Sequence, residues 1–213
     1  MITVCIASYK YGHLAGHAID SVLCQTKPVD KIIVVDDGVG DLAIVKEKYP
    51  EKFIKWIYRE KNMGTAANFN DVLLNHINTD QAMFLGADNY LRPDTIEKLS
   101  KHKADIISYD IALFGTEVNH FKRKVGAVEN GNGYPIWRFK KGNIHTGNYI
   151  HGSSLYNAKM AKRFGYKPSG GSNSEEDYML WRAMLDNGAT HIHVPEPMLY
   201  YRRHKHNFIQ PRR

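Results

Sequence analysis

The first hundred residues repeat one pattern: a short apolar run, a polar cluster, then apolar residues at helical spacing. Thr3-Val4-Cys5-Ile6-Ala7 leads into the loop Ser8 to Gly12. Leu14, Ala15, Ala18, Ile19, Val22 and Leu23 then recur as one face of a helix that ends before Pro28. Lys31 to Val35 is apolar on both faces, which suits a buried parallel strand, and stops at Asp36-Asp37-Gly38. The pattern continues as a helix over 42–49, a strand over 53–58 and a helix over 65–77. A fourth strand over 81–85 ends at Gly86-Ala87-Asp88-Asn89, and Pro93-Asp94 opens a helix over 95–100. Such alternation with short links argues for an α/β fold, a parallel sheet wrapped by helices. Sheets of that kind bind ligands at the carboxyl ends of their strands. Ala7-Ser8-Tyr9, Asp36-Asp37 and Asp88-Asn89 all fall at such ends.

The second half is less regular. A strand is expected over 106–114, and a loop or hairpin over the Gly- and Asn-rich stretch 126–152. A helix over 174–186 is closed by Gly188, and strands follow over 191–194 and 198–201. Apolar residues make up 43% of the chain, enough to offset chain entropy and exclude general disorder. The two cysteines, Cys5 and Cys24, sit in apolar stretches and read as reduced, buried thiols. They exclude a disulfide scaffold and a zinc ribbon. No apolar run approaches the roughly 18 residues of a membrane span. Met1 runs straight into a strand with no leader pattern, so a cytoplasmic location, or one peripheral to a membrane, is expected. A net charge of +7 favours anionic partners. Walker A, G-x-G-x-x-G and G-x-S-x-G patterns are absent.

Several side chains could carry chemistry, each with an ordinary structural alternative. Asp36 and Asp37 could accept hydrogen bonds from a nucleobase or ribose, or simply form an Asp-Gly turn. Asp88 could ligate Mg²⁺ or Mn²⁺ on a nucleotide's phosphates, or be a turn residue. Glu176 and Asp177 could supply a general base, or complete a capping box behind Ser174. Pro168 to Ser172 before them could be a lid or acceptor loop. His204 could complete a metal site and Arg202 or Arg203 hold phosphates, or all three could lie in a solvated basic tail. His191 and His193 alternate on a strand and read as structural, whereas His145 and His151 have no assignable partner.

Taken together and in order, these segments resemble the GT-A glycosyltransferases of family 2, over about residues 2 to 207. Ile2 to Tyr9 is similar to that family's first strand and nucleotide-contacting loop. Ser21 to Thr26 matches its S-x-x-x-Q-T helix end, and Ile32 to Gly38 its V-D-D-G signature. Asn62 to Asn68 resembles N-x-G-x-x-x-A-R-N, and Leu85 to Asp94 the D-x-D segment with its trailing P-D. Glu176-Asp177 resembles the E-D pair, and Tyr201 to His204 the late Y-R-x-H.

The resemblance implies a mostly parallel central sheet flanked by helices, with a small C-terminal acceptor-side portion. It implies one domain over 1–213, with 1–100 as nucleotide-binding half and 101–213 as acceptor-binding half. The donor would be a nucleotide-sugar, a UDP-sugar by preference. Its contacts would be Ala7, Ser8, Tyr9, Asp36, Asp37, Asn62, Gly64, Asn68, Ala87 and Arg202. Asp88 and His204 would hold Mn²⁺ or Mg²⁺, which offsets charge on the leaving diphosphate. Asp177, with Glu176 beside it, would take the proton of the acceptor hydroxyl. Displacement in one step would invert the anomeric centre of a hexosyl or pentosyl group. The acceptor is expected to be anionic or phosphate-bearing, a glycan precursor or, less ordinarily, modified DNA, and an oligomer is left open. Two positions depart from the pattern: Gly86 replaces the first Asp of D-x-D, and Ala67 stands where Arg is frequent. The competing readings are a nucleotidyltransferase and a non-catalytic module that binds sugar nucleotides or nucleic acid.

Overall fold

A computed structural model describes residues 1–49, 52–129, 133–140, 142–167, 176–205 and 207. The expected cap Ser174, the stretch 168–172 and the end of the basic tail lie outside the described residues. Ten strands form one sheet. Its first four in space run β3 (Ile54–Tyr58), β2 (Lys31–Asp36), β1 (Ile2–Ser8) and β4 (Gln81–Gly86), all parallel. β9 (Leu155–Asn157) is antiparallel to β4 and passes the sheet on to β6 (Ile106–Phe114). β10 (His191–Arg202) lies parallel to β6, and β5 (Tyr90–Leu91) closes that edge. β7 (Val128–Glu129) and β8 (Pro135–Trp137) form a hairpin whose second strand joins the far half of β6. Every long ladder is parallel, and each antiparallel pairing covers only two residue pairs.

β9 touches only the amino ends of β4 and β6, at Gln81–Ala82 and Ile106–Ile107. The sheet therefore parts at its carboxyl edge, between Gly86 and the second half of β6.

Helices cover both faces because the central strands are apolar on both. α1 (Gly12–Leu23) lays Ala15, Ala18, Ile19 and Val22 against Val4, Ile6, Val34 and Leu85. The opposite face carries α3 (Thr65–Asp71), α6 (Ala158–Lys162) and α7 (Glu176–Asp186), with Ala66, Ala161, Leu180, Trp181 and Met184 packed on Ile33, Val35 and Phe84. Each fully buried Val, Leu or Ile contributes about 1.5–3 kcal/mol, so this two-sided burial dominates the fold's stability. The short α2 (Ala43–Lys46), α4 (Thr95–Leu99) and α5 (Val118–Val125) complete the helices. No described helix is long and apolar enough to cross a membrane.

Several expectations need correction. The helix over 42–49 shortens to α2, and Tyr49 turns back so that its hydroxyl donates to Asp20 Oδ1 at 2.8 Å. The helix over 65–77 changes winding: Val72–His76 is π-helical, its widened end held by Lys31 Nζ on the His76 carbonyl and Lys162 Nζ on that of Ile77. The two late strands are one, β10, whose register slips between Val194 and Leu199 where Pro195 and Pro197 cannot donate. The stretch 126–152, expected to be loop or hairpin, does carry the β7–β8 hairpin. Cys5 is buried, but Cys24 at the end of α1 is exposed.

Candidate active site

A cavity of about 710 Å³ opens at the carboxyl edge of the sheet, where the strands part. Its floor begins with Ala7, Ser8 and Tyr9 at the end of β1. Ser8 is buried, and its Oγ has no hydrogen-bond partner among the described residues. An orphaned buried hydroxyl on a cavity wall is a vacancy for a ligand hydrogen bond.

Asp36 and Asp37 point to different tasks because neighbours on a strand face opposite sides. Asp36 does not reach the cavity; its carboxylate accepts Val39 N–H at 2.8 Å and Leu42 N–H at 3.3 Å, shaping the next turn. Asp37 does line it, and its Oδ1 accepts Met63 N–H at 2.9 Å. That bond ties the end of β2 to the loop carrying Asn62 and Gly64, which also line the cavity with Asn68. Gly38 makes the close approach possible: a Cβ there would sit 2.3 Å from the Lys61 carbonyl carbon, at φ +83°.

The next wall is Gly86 and Asp88. Ala87 between them turns into the core and does not line the cavity. Asp88 is 7% exposed, and its Oδ2 accepts Asn207 Nδ2–H at 3.0 Å and lies 3.5 Å from His204 Nε2. Burial pushes its carboxyl upward, while His204 and Arg202 pull the other way. Arg202 also stays out of the cavity: its Nε donates to the Asp88 carbonyl at 3.0 Å and its guanidinium stacks 4.5 Å over Phe114. Those two contacts brace the Asp88 loop. Arg203 is buried with its guanidinium 4.0 Å over Phe121, which corrects the alternative that placed it in a solvated tail. A side chain at 86 would meet Asn89 Nδ2 at 2.8 Å and Asp88 Oδ1 at 2.9 Å, so Gly86 leaves room for the carboxylate that remains.

The S-x-x-x-Q-T element of α1 braces this wall from behind. Gln25 is buried; its Nε2 donates to the Ser21 carbonyl at 2.8 Å and the Arg92 carbonyl at 2.7 Å. Its Oε1 accepts Ile96 N–H at 2.9 Å, and Ser21 Oγ accepts Leu91 N–H at 3.1 Å.

The far wall comes from α7. Glu176 lines the cavity, and its Oε2 is buried without a hydrogen-bond partner among the described residues. Burial first, then the adjacent Asp177 charge, pushes its carboxyl up to about 7. Asp177 is not among the lining residues; its Oδ1 accepts Tyr178 N–H at 2.7 Å, and Oδ2 lies 3.0 Å from where a Cβ on Gly152 would stand.

Asp88 and His204 both line the cavity and form a carboxylate–imidazole pair, a donor set that fits Mn²⁺ or Mg²⁺ with the remaining positions left to phosphate oxygens and water. Among the described residues no group of three or more His, Cys, Asp or Glu forms a self-sufficient cage, so such an ion would share its shell with a ligand. Lining residues that sequence reasoning missed include Lys10, Tyr11, His13, Phe69, Lys205 and Asn207. Lys205 lies in the basic tail, whereas nothing in the sequence marks Asn207.

Comparison with known proteins gives three kinds of likeness. The model of the family described as glycosyl transferase family 2 matches residues 3–165. An uncharacterized glycosyltransferase of Haemophilus influenzae is 25% identical over 195 residues, which cover 86% of this chain and 68% of that one. Among solved structures, S. aureus TarS 1–349 in complex with UDP-GlcNAc superposes with a TM-score of 0.70 at 19% identity, over 97% of this chain and 60% of that one. The mannosyltransferase PcManGT of Pyrobaculum calidifontis, in complex with GDP-Man and Mn²⁺, superposes with a TM-score of 0.66 at 15% identity, over 97% and 58%. This chain thus spans about three fifths of the length of those two solved chains, and at such identities what is shared is the fold, GT-A.

Proposed function

The chain belongs to glycosyl transferase family 2, and on that premise we propose that it moves a sugar from a nucleotide-sugar to an acceptor hydroxyl with inversion, in the cavity at the sheet's carboxyl edge. One observation carries the reading. A single cavity joins an orphaned hydroxyl and a carboxylate at the ends of β1 and β2, a carboxylate–imidazole pair at Asp88 and His204, and a proton-hungry carboxylate at Glu176. Nucleoside, diphosphate and acceptor need groups of those three kinds within one cavity.

Ser8 and Asp37 are assigned to the nucleoside, with Tyr9, Asn62, Gly64 and Asn68 as the surrounding wall. Asp88 and His204 would hold Mn²⁺ or Mg²⁺, whose chemistry there is to offset the negative charge that builds on the diphosphate. The acceptor oxygen attacks the anomeric carbon, the carbon–oxygen bond to the diphosphate breaks, and its electron pair leaves on the diphosphate. The acceptor's proton goes to a carboxylate at the head of α7. The resemblance assigns that role to Asp177; we assign the receiving atom to Glu176 Oε2, because Glu176 lines the cavity and Asp177 does not. The Asp177 charge behind it makes Glu176 more basic, which is how a general base is tuned toward neutral pH.

TarS in complex with UDP-GlcNAc and PcManGT in complex with GDP-Man support a nucleotide-sugar donor, and we propose a UDP-sugar. A net charge of +7 and His13 and Lys205 on the cavity wall support an acceptor that is anionic or carries phosphate. The test is calorimetric titration with a panel of UDP- and GDP-sugars, with and without Mn²⁺. A UDP-sugar that binds more tightly with Mn²⁺ is expected; no binding by any member would overturn the reading.

A further inference from the structure

Lys10 is the only residue other than glycine with a positive φ among those described, at +68°. An L side chain in that region is strained, and Gly, Asn or Asp would hold the same turn at lower cost. The loop does use glycine where crowding demands it: a Cβ on Gly12 would stand 2.3 Å from the Asp41 carbonyl oxygen. A lysine kept two residues earlier, in a conformation that disfavours it, needs a reason in its side chain.

The surroundings supply one. Lys10 is exposed and lines the cavity between Tyr9 and Tyr11. Its Nζ lies 5.0 Å from the centre of the Tyr9 ring, a cation–π contact that keeps the ammonium at the cavity wall. No carboxylate among the described residues makes an ion pair with it. Tyr11, the next residue, packs its ring edge-on to the His204 imidazole at 5.4 Å, and His204 stands beside Asp88. The backbone of Lys10 is thus two contacts from the pair assigned to the diphosphate. Ala67 on α3 supplies no cation from the other side.

We propose that Lys10 is the phosphate-binding cation of the donor site, and that its strained backbone is retained to aim the ammonium at the diphosphate. The inference rests on the nucleotide-sugar reading above and adds a residue that decides between diphosphate and uncharged nucleoside. Lysine suits a diphosphate as a mobile point charge with three donors.

The test measures binding of UDP, GDP and the two parent nucleosides by calorimetry in Mn²⁺, together with melting temperature. In Lys10→Met, affinity for the diphosphate that wild type prefers should fall about tenfold, with nucleoside affinity unchanged. Lys10→Arg should retain most of the diphosphate affinity. Lys10→Gly should lose it as Met does yet melt a few degrees higher than wild type, because the strain is gone. Equal diphosphate affinity in wild type and Lys10→Met would overturn the phosphate role. A Gly variant that melts no higher would overturn the strain argument. Failure of wild type to bind either diphosphate would instead defeat the donor reading itself, so the two failures are distinguishable.

Discussion

Asp88, after β4, and Glu176, at the head of α7, line one cavity, and burial raises the proton affinity of both. Their partners differ in kind. Asp88 is met by the Asn207 amide and the His204 ring, and its loop is gripped by Arg202 through the Asp88 carbonyl. Glu176 has an Oε2 with no hydrogen-bond partner among the described residues and a like charge next door. Donors and cations stabilise a charged carboxylate, whereas desolvation beside another carboxylate stabilises a protonated one. On the proposed reading a cation at Asp88 would offset the burial that raises its carboxyl, while Glu176, with no such offset, picks up a proton.

The largest effect that could break this contrast is at Asp88. Asp88→Asn keeps the shape but removes the charge, and transfer should fall by about a thousandfold or more, with loss of Mn²⁺-dependent donor binding in calorimetry. An Asp88→Asn variant that still binds donor more tightly with Mn²⁺ would show that this wall does not hold the ion.

Glu176→Gln comes next, with kcat lowered about a hundred- to ten-thousandfold and donor affinity little changed. In wild type, kcat/KM should rise with pH through about 7, as Glu176 gives up its proton and can accept another. Asp177→Asn removes the neighbouring charge, so that limb should move to lower pH while activity at high pH falls less than in Glu176→Gln. If Asp177→Asn is the more damaging of the two and the limb stays in place, the base is Asp177.

The same carboxyl makes a stability prediction of opposite sense. Its folded-state affinity, up to about 7, exceeds the ordinary 4.5, so between those values the folded protein binds more protons than the unfolded chain. Stability then falls as pH rises through that window, by roughly 2 kcal/mol after screening at a half-buried side chain is allowed for. Glu176→Gln should abolish that decline, and thermal melts at pH 5 and pH 8 would check it. A decline that persists in the variant would place the titrating group elsewhere.

Much of the fold was legible because its long strands are buried on both faces and leave unbroken apolar runs, as in Ile32 to Val35. The short antiparallel pieces were less so: β9 is too brief to show a period, and the Gly- and Asn-rich 126–152 left loop and hairpin open. Pro195 and Pro197 made β10 look like two strands. Within the site, motif spacing located the right segments but not which of their side chains turn inward. Asp36, Ala87 and Arg202 adjoin cavity residues and face away from it, as alternation along a strand would have warned for Asp36. Glu176 and Asp177 open α7, where one step of the helix turns a side chain by about 100°.

The smallest effect on activity, and the sharpest separation of the two walls, is expected at Gln25. Its side chain fastens α1 to the segment behind Asp88 through the Arg92 carbonyl and the Ile96 N–H, and makes no hydrogen bond to Glu176 among the described residues. Gln25→Ala leaves both backbone groups without that partner in a buried place, so it should cost about 1–3 kcal/mol, read as a lower midpoint in urea. Donor KM should rise less than tenfold as the Asp88 wall loosens, while the pH limb assigned to Glu176 stays where it is. A limb that moved with Gln25 would mean that the two carboxylates are coupled through the fold, and that the division of labour between them is not set by their immediate partners.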